Sequence, residues 1–72
     1  MVEVFKTNVE HAAHADNLVS LLQQCFPESR INFDLEDCYR ILRIESWSQY
    51  FDPRQVCDVV AKMGFECRVL TD

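Results

Sequence analysis

One glycine and two prolines in 72 residues leave little material for a linker. No low-complexity tract or internal repeat breaks the pattern, so residues 1–72 read as one domain. Basic residues are also scarce: seven Lys and Arg stand against twelve Asp and Glu, for a net charge of −5 without a basic cluster. That balance disfavours nucleic acid, because affinity for phosphate backbones comes largely from Lys and Arg displacing counterions. No apolar run nears the ~18 residues of a membrane span, and no charged-then-apolar leader opens the chain. The expected location is the cytosol, with neither membrane nor nucleic acid as partner. Thiols stay mostly reduced there, so Cys25, Cys38, Cys57 and Cys67 read first as small buried apolar groups. None of their spacings is Cys-x-x-Cys. A recognisable nucleophile or acid/base motif is missing too, so no enzyme is expected.

What is present is pattern. Residues 1–7 are β-branched and aromatic with rough alternation, a strand in which Val2, Val4 and Lys6 share one face and Phe5 takes the other. Asn8, or else Asp16, is placed to cap a helix whose stripe is Leu18, Leu21, Leu22 and Cys25, with Pro27 as its stop. Ile31, Phe33 and Leu35 alternate with polar residues as a half-buried strand, Glu36-Asp37-Cys38 turns, and residues 39–45 return. That returning strand is apolar on both sides, which suits a central position. Residues 46–51 form a loop, then Asp52-Pro53 supplies an N-cap and a first-turn proline. Val56, Val59, Val60 and Met63 make a second helical stripe, Gly64 is placed for a left-handed C-cap, and residues 65–70 alternate as a last strand. Thr71 and Asp72 read as a tail.

Strand, helix, strand, strand, helix, strand is the α+β, ferredoxin-like βαββαβ plan: two helices on one face of a four-stranded antiparallel sheet in the order 4-1-3-2. Its topology gathers His11, His14, Cys38, Gly64 and Phe65 at one end, with Cys67 as a further candidate there. Trp47, Tyr50, Phe51, Cys25 and Cys57 belong to the other. The potential thiol pairs are then Cys38 with Cys67 and Cys25 with Cys57, which sequence alone does not establish.

Over nearly its whole length the chain resembles the heavy-metal-associated domains of copper chaperones and metal-transporting ATPases. The family's Gly-Met-x-Cys-x-x-Cys loop aligns with Asn8-Val9-Glu10-His11-Ala12-Ala13-His14, and Leu18 and Leu22 fall on its apolar helix positions. Its Tyr-Asp-Pro is similar to Phe51-Asp52-Pro53, and its Gly-Tyr or Gly-Phe to Gly64-Phe65. Both family cysteines are replaced, and Lys6 sits where an inward apolar residue is usual. The hairpin Asn32-Phe33-Asp34-Leu35-Glu36-Asp37-Cys38 looks more like that of short stand-alone bacterial relatives. The resemblance implies metal handling.

Without the two thiolates a cuprous ion loses its basis, whereas the imidazoles of His11 and His14, three apart, suit zinc, nickel or cupric copper. A tetrahedral zinc needs more ligands than two, which leaves Glu10, Cys38, Cys67 or a second chain to supply them. The alternative is a domain without metal, in which both histidines belong to the packed helix stripe or its rim. Such a domain would dimerise or dock a protein through an edge strand, the Trp47 loop with Tyr50 and Phe51, or the free sheet face, where Phe5, Tyr39 and Ile41 are expected to be exposed. One or two aromatics of the loop serve equally well as a lid on the core. Asp34, Glu36 and Asp37 could hold a hard cation, but read better as a solvated edge that blocks strand pairing. An RNA-stacking platform is disfavoured by the acidity and the missing Gly-rich signature, and the Gly-rich phosphate loop of acylphosphatases is absent.

Overall fold

In a computed structural model that describes residues 1–70, the chain runs β1 (Val2–Thr7), α1 (Ala12–Cys25), β2 (Ser29–Asp34), β3 (Ile41–Ser46), α2 (Pro53–Lys62) and β4 (Cys67–Val69). The tail expected at Thr71 and Asp72 lies outside the described residues. All neighbouring strands pair antiparallel in the order β2-β3-β1-β4, which is the ferredoxin-like plan with β3 and β1 inside. Register decides the faces. Phe5 stands opposite Leu42, Leu42 opposite Phe33, and Ile44 opposite Ile31, so these side chains share the inner face. They join Leu18 and Leu22 of α1 and Val56 and Val60 of α2 in one buried cluster. Both helices therefore cover the same side, α1 over β2 and α2 over β4.

This corrects the expected exposure of Phe5, which is 0% accessible. Its partner Leu42 faces the helices, and opposed residues of an antiparallel pair project to the same side. The outward residues of β1 are Val2, Val4 and Lys6. Tyr39 is exposed and Ile41 is half-buried; the Lys6 ammonium lies 4.8 Å from the centre of the Tyr39 ring.

Helix α2 follows its terminal signals, although Met63, expected on its buried stripe, is exposed just past its end. The Asp52 carboxylate accepts the Arg54 N–H at 2.9 Å, and Pro53 opens the helix. The Arg54 side chain returns to the same carboxylate at 3.1 Å, and that hydrogen bonding holds the Asp52 carboxyl below its ordinary pKa. At the other end Gly64 adopts φ +90°, and the Phe65 N–H reaches back to the Val60 carbonyl at 3.3 Å. That is the left-handed termination for which glycine is suited.

Helix α1 departs from its expected start at either Asn8 or Asp16. Its N-cap is His11, whose side chain caps nothing. Asn8 is committed elsewhere, because its side-chain oxygen accepts the Glu66 N–H at 2.8 Å. Asp16 falls inside the helix, since the His11 carbonyl already receives the Ala15 N–H at 3.0 Å. The stripe shifts accordingly: Ala15, Leu18 and Leu22 are buried, Leu21 is half-buried and Cys25 is exposed.

The hairpin is longer than expected. Asp34 accepts the Glu36 N–H, and Asp37 accepts the Tyr39 N–H at 2.9 Å; these side-chain-to-backbone turns take residues 35–40 out of the ladder. Arg40 sits at φ +48°, its guanidinium on the Leu35 carbonyl. Its own carbonyl receives the Thr7 hydroxyl at 2.6 Å. Thr7 is buried and thereby ties β1 to the hairpin.

Candidate functional site

The pole at the start of α1 is assembled from four segments. The Thr7 N–H donates to the Tyr39 carbonyl at 3.0 Å, which brings the hairpin turn and Cys38 to the end of β1. The Asn8 to Glu66 bond brings in the approach to β4. The His11 and His14 ring centres lie 5.4 Å apart and nearly perpendicular, and His14 is 5.3 Å from Phe65. Both histidines are exposed, so neither belongs to the buried helix stripe. Val9, between Asn8 and Glu10, is fully buried and anchors the loop from below.

Two imidazoles bound to one tetrahedral ion through nitrogens at zinc distances bring their ring centres to about 5 Å. The observed ring-centre spacing is of that order and is equally that of an edge-to-face ring contact. The free N–H end of α1 acts against a bare cation by about 0.3–1 kcal/mol, a small term beside direct ligation. Glu10 and Cys38 are exposed and Cys67 is half-buried, yet among the described residues no group of three or more His, Cys, Asp or Glu side chains is gathered closely enough to hold a metal ion. The described residues thus bring two imidazole rings together at this pole and gather no third ligating group beside them.

All four cysteines are free. Cys25 and Cys38 are exposed, whereas Cys57 and Cys67 are half-buried. Burial first, and then the neighbouring Cys57 thiol, push the Cys67 thiol well above its ordinary pKa. The neighbour of Cys67 is therefore Cys57, on the helix packed over its strand, rather than Cys38. Pairing with Thr7 sets Cys67 on the inner face of β4, and nothing local in the sequence disclosed which thiol would lie above it.

At the opposite pole the Trp47 N–H bonds to the Glu28 carbonyl at 3.2 Å. Trp47 is 65% and Tyr50 82% exposed. Phe51 instead turns inward, its ring centre 5.7 Å from that of Phe26 in an edge-on contact, and lids the core. A groove of about 330 Å³ runs beside it between Phe26, Pro27, Ser46, Tyr50 and Gln55. The hairpin carboxylates of Asp34 and Asp37 are engaged with turn N–H groups.

A second groove, of about 530 Å³, lies along β2 between Val19, Phe33 and Leu35. Sequence reasoning missed it. Its signal was Phe33 and Leu35 alternating on a strand whose place at the sheet edge was already implied by the fold plan. Compared with known proteins, the chain matches no family model, no curated protein and no solved structure. The class these features define is that of small α+β domains of ferredoxin-like topology.

Proposed function

We propose that this chain is a small non-enzymatic domain of the heavy-metal-associated type that handles a borderline divalent ion, zinc, nickel or cupric copper, on His11 and His14. The observation that carries this reading is the exposed pair of imidazoles with ring centres 5.4 Å apart, held at the N-terminus of α1 where the resemblance locates a metal loop. His11 is free of any capping duty, so its ring is available to a ligand. An open two-ring site leaves coordination positions to water or to groups from another molecule. Such an ion exchanges more readily than one in a closed cage of four protein ligands, which suits passage rather than storage. Phe65 beside His14 restricts the ring on that side.

The test is titration of tag-free protein with zinc, nickel or copper, followed by native mass spectrometry. Stoichiometric uptake is expected, with loss of uptake in His11→Ala/His14→Ala at an unchanged circular dichroism spectrum. Uptake retained by that variant would remove the site.

A second reading is favoured by the exposure of Trp47 and Tyr50 beside the Phe26 and Phe51 groove. Aromatic residues in that setting are the usual anchors of a protein interface, and this reading needs no metal.

A further inference from the structure

The two edges of the sheet are unlike. β4 offers three residues, whereas β2 offers six in unbroken register with β3, with no proline and no bulge within it. Asp34, expected with Glu36 and Asp37 to block strand pairing, is balanced within this strand by Arg30, and a long edge whose charges cancel is a template for another strand. The direction of its free groups follows from one contact. The Glu28 carbonyl meets the Trp47 N–H on the β3 side, so alternation turns the backbone of Arg30, Asn32 and Asp34 toward β3 and that of Ile31 and Phe33 outward.

We infer that β2 pairs antiparallel with β2 of a second copy of this chain about a two-fold axis at Asn32, extending the sheet across both copies. In that register Ile31 lies opposite Phe33 of the second copy, and their outward N–H and C=O groups satisfy one another. On the outer face Arg30 falls opposite Asp34 of the second copy, and Asp34 opposite its Arg30. The edge is thus complementary in charge to itself, which argues for a copy of the chain over an unrelated strand. On the inner face the groove between α1 and β2 leaves Val19, Phe33 and Leu35 partly exposed, and the same two-fold brings the second copy over it. Beyond the strand ends Glu28 faces Glu36 of the other copy, a like-charge contact that is exposed and screened by salt. The Gln23 amide on the Ser29 carbonyl and Arg40 on that of Leu35 mark the limits of the free edge.

The experiment is sedimentation equilibrium on the full chain in chelator, so that its outcome is independent of the histidine site. The wild-type chain is expected to dimerise. Arg30→Asp makes the edge wholly acidic and Asp34→Arg makes it wholly basic, so each alone should weaken dimerisation about tenfold or more. Mixed in equal amounts, the two variants should form a heterodimer, because both pairs between positions 30 and 34 are then of opposite charge. That recovery also shows that both variants are folded. A monomeric wild-type chain, single variants that dimerise as tightly as the wild type, or a mixture that stays monomeric would overturn the inference.

Discussion

Two of the four thiols are exposed and two are half-buried, and this difference is chemical as well as spatial. Cys25 and Cys38 are exposed, while Cys67 is half-buried against Cys57 and its thiol is pushed upward by both effects. Because the thiolate is the reactive form, timed iodoacetamide labelling read by mass spectrometry should modify Cys25 and Cys38 first and Cys67 last. The sign for stability follows. A thiol raised in the folded state favours folding while it stays protonated, and that contribution is lost as pH climbs from the ordinary thiol range toward the raised folded value. The aromatic residues separate in the same way. Phe5→Ala should cost about 3–5 kcal/mol, enough to unfold much of a small domain in a thermal melt, whereas Trp47→Ala should leave the melt nearly unchanged and remove binding of any partner docked at that pole. Periodicity gave Phe5 and Val4 opposite faces but not which was inner, because one phenylalanine against two valines does not decide it. Register with Leu42 does.

Elements with strong terminal signals were legible. Asp52, Pro53 and Gly64 bracket α2 in the sequence, and the helix obeys them. Gly64→Ala should cost about 1 kcal/mol from its φ of +90° alone, since no atom would meet the added methyl within 4 Å. For a chain of this size, that is a fall in Tm of about 4–8 °C. The start of α1 was not legible, because the side chain of Asn8, a good cap by type, is taken by a backbone group 58 residues away. The strand ends around the hairpin were blurred for a related reason. Asp34 and Asp37 bond to the backbone locally, and Arg40 holds a left-handed conformation that its residue type does not announce.

At the scale of the molecule, the order of elements could be read because amphipathic period and turn residues agree along the chain. The two poles follow from that order alone: topology brought the histidine loop to Phe65 and Glu66, and set Trp47 and Tyr50 at the far end. Contacts between elements, such as Cys57 above Cys67 or the open flank of α1 beside β2, depend on how helices sit on the sheet, and no spacing encodes that. A core of this size buries only about 60% of the unfolded surface, so a second copy or a bound ion shifts the folding equilibrium in proportion to its affinity and concentration.

β1 comes first in the chain yet ends in the interior of the sheet, between β3 and β4. The hairpin of β2 and β3 closes over a short distance, but β1 must wait for residues 41–46 on one side and 67–69 on the other. Contacts so remote in sequence slow the search for the native state. A growing polypeptide therefore carries β1 with one side bare until residues 41–46 have been made and the other until residues 67–69 follow.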